Sequence, residues 1–171
     1  RDAQDNWMAM FDVNMVSINE QFNPLISADM VWINNLTTHF DMNRRRDISL
    51  SLVNAQLAET SSNEVVVGLG YRFGSIPIFM KDKKLDNDIN VQCDFSVRRN
   101  NTIIRRITES VDQLTAGQKV MSLKISADYT FNNRLNLRLF YDRVVNTPYI
   151  SLSYPTTNTN FGLSVRYTLM Q

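Results

Sequence analysis

The sequence holds a single cysteine, a single histidine and no long apolar run. Cys93 alone closes no intrachain disulfide and has no companion for a metal site, so it reads as a small apolar side chain. No stretch approaches the roughly 18 consecutive apolar residues of a membrane-spanning helix, which excludes helical spans. Charge of one sign is missing too: 18 basic against 17 acidic residues leave a formal net charge of +1. Such a chain has no global field to recruit nucleic acid, and no nucleic-acid partner is expected. Low-complexity segments and fixed-length repeats are absent, so neither a solenoid nor a propeller is indicated. The chain opens RDAQDNW, without an initiating methionine or an apolar leader, and reads as a fragment or processing product of a longer protein. At 171 residues it is one domain or a piece of one, spanning 1–171.

What the sequence has is alternation. Phe161, Leu163, Val165, Tyr167 and Leu169 alternate with Gly162, Ser164, Arg166 and Thr168, a period of two with one apolar and one polar face. The same pattern sets Leu135, Leu137, Leu139 and Tyr141 against Asn136, Arg138 and Asp142. Met121, Leu123, Ile125, Ala127 and Tyr129 likewise oppose Ser122, Lys124, Ser126 and Asp128. Ile89 to Val97 repeats it around Cys93, and Val65 to Phe73 around Gly68 and Gly70. Weaker candidates are 25–33, 36–43, 47–57 and 102–109, with a first strand over 8–16, so about ten strands are expected. Ile107, Val111 and Leu114 would also suit a helical turn, and 110–119 is read as a loop.

Alternation alone does not separate a soluble sandwich from a transmembrane β-barrel. Connection lengths favour the barrel. With the carboxy terminus on the periplasmic side, the links at Asn34 and Asn35, 59–63, Asn100 and Asn101, and Asn132 and Asn133 are periplasmic and short. Those at 44–46, 74–87, 110–119 and 146–158 are extracellular, and all but the Arg44–Arg46 corner are long. Asn pairs supply left-handed turn conformations at three of the short links. Trp32, Phe95, Tyr129, Phe131 and Tyr167 form one expected aromatic girdle, and Phe73, Tyr141 and Phe161 the other. The fold expected is therefore all-β, with antiparallel transmembrane barrel strands.

The strings SINEQFNPLISADMVWINNLTTHFDMNRRRDISLSL, EVVVGLGYRF and SADYTFNNRLNLRLFYDRVVNTPYISLSYPTTNTNFGLSVRYTL resemble, in order, the carboxy-terminal region of the SprA/Sov family. This is the outer-membrane translocon of the type IX secretion system of Bacteroidetes-type bacteria. The likeness runs from about Val16 to the last residue; FYDR, PYISLSYPTTNTNFG and the final RYTL are its most specific elements, and 1–15 and 75–87 its weakest. The resemblance implies a bacterial outer-membrane location and a very large single-chain barrel of which this chain forms the closing strands. It implies a protein-conducting channel for cargo carrying a carboxy-terminal sorting domain, serving adhesin export in gliding species. Implied partners are outer-membrane lipid, the rest of the translocon barrel, a small PorV-like barrel at a lateral opening and a periplasmic plug protein.

For catalysis the sequence offers no nucleophile–base pair, so no enzyme, cofactor or metal site is expected. His39 stands alone on a strand, with no Cys or carboxylate at ligand spacing. The GLG at 68–70 lies inside a strand and opens no helix, so it is no phosphate loop; its glycines suit a bend or a close neighbour. Asp94, Arg98, Lys124, Asp128, Arg138, Asp142 and Arg166 are the candidate pore-lining charges. They could form a wet, mixed-sign surface for sliding cargo or a cross-strand ion-pair ladder that braces the wall. Arg44, Arg45 and Arg46 could hold a lipopolysaccharide phosphate or form a merely solvated corner. The competing function is a small self-contained barrel acting as adhesin, anchor or narrow pore, since about ten strands could close alone. An outer-membrane phospholipase or protease would need the paired catalytic residues that are missing.

Overall fold

The computed structural model describes residues 13–80, 83–109, 111–132, 134–150 and 153–169. They form one antiparallel sheet of seven strands in chain order, and no described residue is helical. The strands are β1 (Met15–Val31), β2 (Leu36–Ser51), β3 (Gln56–Met80), β4 (Lys83–Arg106), β5 (Val111–Asn132), β6 (Leu135–Pro148) and β7 (Thr156–Tyr167). Each pairs only with its chain neighbours, as short connections between successive strands dictate. Asn35 takes the left-handed conformation expected of it, with φ of 58° in the turn between β1 and β2. Ala55, with φ of 47°, does the same between β2 and β3, where no turn was expected because alanine carries a Cβ that disfavours this region.

Seven strands stand where about ten were expected, because the strands are long. β3 runs for 25 residues and β4 for 24. The expected links at 44–46, 59–63, and Asn100 and Asn101 lie inside β2, β3 and β4, and most of the expected loop 110–119 lies inside β5. These segments are in register with one another: Arg45 pairs with Ser62, Ser62 with Asn100, and Asn100 with Gln118. They make a single polar belt across the sheet, in which both faces carry polar side chains. Alternation disappears there although the backbone ladder continues, and a polar run without period two imitates a turn.

Removing those links changes the sides of the connections. Met80 pairs with Lys83, so β3 and β4 join at the end of the sheet that also carries the Asn35 turn. The connection at 74–87 was expected at the opposite end. Phe73 moves with it, into the row of Ile89 and Tyr129, while Phe95 pairs with Val67 and Leu123, away from Tyr129. The two expected girdles therefore exchange these two members. The expected strand 8–16 falls mostly outside the described residues.

No described hydrophobic residue is buried, and Gly68 is the one buried position among the described residues. Among the described residues nothing packs on either face of this sheet, and β1 and β7 are not paired with each other.

Candidate functional site

Directly paired residues share a face, so the register sorts every strand. Asp94 pairs with Lys124 and Lys124 with Asp142; Asp128 pairs with Arg138; Arg98 pairs with Glu64; Arg166 pairs with Asn136. All seven charges singled out from the sequence thus lie on one polar face. Only Arg138 and Asp128 among them close to ion-pair distance, at 3.6 Å. Lys124 lies between two aspartates in register without reaching either. As an ion-pair ladder these seven are largely open. Other residues tie the polar face together: Ser62 donates to the Asn100 side chain at 2.7 Å, and Thr60 meets Thr102 at 3.2 Å. Arg72 pairs with Asp88, its Nε donating at 2.8 Å.

His39 meets two carboxylates across and along the sheet. Its Nδ1 lies 2.5 Å from Asp29 and its Nε2 lies 2.8 Å from Asp41. Asp41 is two residues along β2, while Asp29 is the cross-strand partner of His39 on β1. The register that joins Asp29 to His39 depends on the turn and is not a sequence spacing. Among the described residues no group of His, Cys, Asp or Glu is arranged to hold a metal ion.

Beside His39 the glycines let neighbouring side chains close over the polar face. A Cβ on Gly68 would stand 2.6 Å from Asp94 Oδ1 and 3.3 Å from His39 Cβ, and one on Gly70 would strike the Thr37 hydroxyl. The close-neighbour reading of GLG holds. A shallow depression of about 620 Å³ opens over them, with Asp29, Thr37, His39, Arg72, Gln92 and Asp94 among its lining residues. Further along, the ring of Phe140 lies over Gly162, where a Cβ would be 2.5 Å from it. An aromatic ring shielding a cross-strand glycine is a stabilising pair, and it leaves an apolar island on the polar face.

The other face is apolar across all seven strands. Cys93 lies on it between Leu69 and Ile125, and Leu139 pairs with Leu163. Val67, Leu69, Ile125, Leu139, Leu163 and Val165 are all exposed hydrophobics. The band slides along the sheet: Phe95 and Leu123 lie within it on β4 and β5, but the next pairs in that row are Arg143 and Thr159. One edge of the band is aromatic. Tyr71 and Phe73 pack edge to face with centroids 4.4 Å apart, and Tyr129 and Phe131 do so at 6.2 Å. Trp32 joins them through a hydrogen bond from Nε1 to Thr38 Oγ1 at 3.2 Å.

The opposite edge is charged. On β2 to β5 the last apolar row reads Met42, Val65, Val97 and Met121, and the next reads Arg44, Asn63, Arg99 and Lys119; on β6 the band ends two rows earlier, at Tyr141, with Arg143 next and Val145 beyond it. Further out, Glu59, paired with Ile48, takes Arg46 at 2.7 Å and Arg105 at 3.2 Å, and Arg105 also reaches Asp112 at 3.3 Å. Leu50 and Leu57 stand in the row of Arg105, so apolar and charged residues mix at this end of the face.

The fold and its chemistry thus define a class: a two-faced antiparallel sheet whose apolar face is left uncovered by the described residues. No protein-family model matches the sequence, and no curated protein matches it either.

Proposed function

We propose that this sheet is a section of the wall of a bacterial outer-membrane β-barrel, and that the barrel is the protein-conducting translocon of type IX secretion. The observation that carries the membrane reading is the uncovered apolar band, roughly nine residues deep on β3 to β5, close to the 9–11 residues of a tilted transmembrane strand. A sheet in lipid presents such a band on one face and a polar surface on the other. The sliding of the band supports the same reading, because strands in a barrel tilt against its axis and a level membrane crosses each strand at a different residue. A soluble sandwich would bury the apolar face, and no described hydrophobic residue is buried.

Among the described residues the outer edges of β1 and β7 have no partner strand, which favours a wall continued by further strands, since an unpaired edge in hydrocarbon leaves backbone groups unsatisfied. The assignment to secretion is supported by the resemblance to the SprA/Sov family. On that reading the polar face, with Asp94, Arg98, Lys124, Asp128, Arg138, Asp142 and Arg166, lines the channel. Its open, mixed-sign charges suit passage of cargo better than bracing would. The PorV-like barrel and the plug protein belong to the same proposal.

Depletion of the full-length protein in its source bacterium tests both levels. The reading expects the protein in the outer-membrane fraction, and secreted proteins with carboxy-terminal sorting domains to accumulate in the periplasm after depletion. Unchanged secretion from an outer-membrane location would refute the translocon and leave the barrel. Recovery in a soluble fraction would refute both.

A further inference from the structure

We propose that Arg44, Arg99, Lys119 and Arg143, at the edge of the apolar band away from the Asn35 turn, bind the phosphate groups of anionic lipid headgroups. The inference rests on the membrane reading above and adds a ligand and a leaflet to it.

Arg99 on β4 and Lys119 on β5 are directly paired, and like charges placed opposite each other destabilise a sheet unless an anion lies between them. Arg44 stands in the same row, separated from Arg99 by Asn63. Arg143 takes the corresponding edge position on β6, where the band has slid. None of the four has an ion-pair partner among the described residues. Of the nearby acids on this face, Glu59 is engaged with Arg46 and Arg105 and Asp112 with Arg105, while Glu20, opposite Arg46 and diagonal to Arg44, closes on neither. Four cations without an ion-pair partner are thus left where the face changes from apolar to polar.

That position suits a headgroup. The neighbouring row toward the band is wholly apolar, so the aliphatic stems can lie along hydrocarbon while the charged ends reach the phosphate level. A guanidinium binds phosphate through two parallel hydrogen bonds, and an ammonium adds a point charge beside it. The other edge of the band carries Trp32, Phe73, Tyr129 and Phe131 instead, so the sheet distinguishes its two leaflets.

The test uses the full-length protein in nanodiscs of phosphatidylcholine, with or without phosphatidylglycerol as the anionic probe. A photocrosslinker in place of Thr147, which shares the row of Lys119, captures the local lipid. The proposal expects phosphatidylglycerol to be captured in excess of its mole fraction. The excess should fall by about fivefold for each cation removed in Arg99→Gln and Lys119→Gln. Arg46→Gln, whose guanidinium is held by Glu59, should leave it unchanged. Inorganic phosphate at matched ionic strength should not compete. Capture that follows mole fraction in the parent protein, or that survives the double substitution, overturns the proposal. Competition by inorganic phosphate overturns it in favour of a free-anion site. If the double variant does not assemble, Arg143→Gln alone decides, with a fivefold drop expected and no change contradictory. Crosslinking to neither lipid would overturn the membrane reading itself, whereas equal crosslinking to both overturns only this inference.

Discussion

Residues 65–73 and 57–63 of β3 belong to one continuous ladder, paired throughout with β2 and β4, yet only the first stretch alternates. In 65–73 Val65, Val67, Leu69, Tyr71 and Phe73 share one face, and Val66, Gly68, Gly70 and Arg72 the other. In 57–63 the apolar face continues as Leu57, Glu59, Ser61 and Asn63, and the polar face as Ala58, Thr60 and Ser62. The backbone does the same thing in both. What differs is the contrast between the two faces, apolar against polar in the first stretch and polar on both in most of the second. On the proposed membrane reading, period two marks the band in contact with lipid; strand length is a separate property.

A cation placed in each stretch gives the largest expected difference. Val67→Arg, at mid-band on the apolar face, should reduce assembled full-length protein in the outer membrane by the equivalent of about 2–4 kcal/mol. Ser61→Arg, on the same face in the belt, should stay within about 0.5 kcal/mol. Quantitative blotting normalised to synthesis reads both. Equal losses would erase the distinction between band and belt.

Crowding separates the stretches by a smaller amount. Gly68→Val puts its Cβ against Asp94 and His39, so it should destabilise by about 1–3 kcal/mol in thermal unfolding. Ser62→Val, facing the same way in the belt, loses a hydrogen bond to Asn100 and should cost about 1 kcal/mol. A smaller loss at Gly68 would show that the close approach is not maintained.

The smallest effect concerns the polar face within the band. Arg138 and Asp128 are about half exposed, at 59% and 47% of their side-chain area, so a double-mutant cycle with alanine should give a coupling of about 0–1 kcal/mol. A coupling well above that would restore the bracing role that the open charges argue against.

The strands over 65–73, 89–97, 121–129 and 135–141 were legible because an apolar and a polar face alternate residue by residue. So was the common face of Asp94, Lys124 and Arg138. The ends of the strands were not. Arg44–Arg46, 59–63 and Asn100 with Asn101 looked like corners because polar residues on both faces remove the alternation, and the pairing that holds them is non-local. Asp29 was missed as a partner of His39 for the same reason, since only the cross-strand register brings it there. The Ala55 turn was hidden by a residue that seldom takes a left-handed conformation. With one link removed, the side assigned to 74–87 had to change, which shows how strongly a parity argument depends on every strand end.

The central claim is that lipid contact has a period of two within the band and none in the belt. The direct measurement is quenching by brominated lipid of a fluorophore attached to single cysteines along β5 of the full-length protein, in a Cys93→Ser background. The account predicts strong quenching at Met121, Leu123 and Ile125, weak quenching at Ser122, Lys124 and Ser126, and uniformly weak quenching at Ala116, Gly117 and Gln118, of which Gly117 lies on the face of Met121. Quenching without alternation between 121 and 126, or alternation continuing unchanged through 116–118, would contradict it.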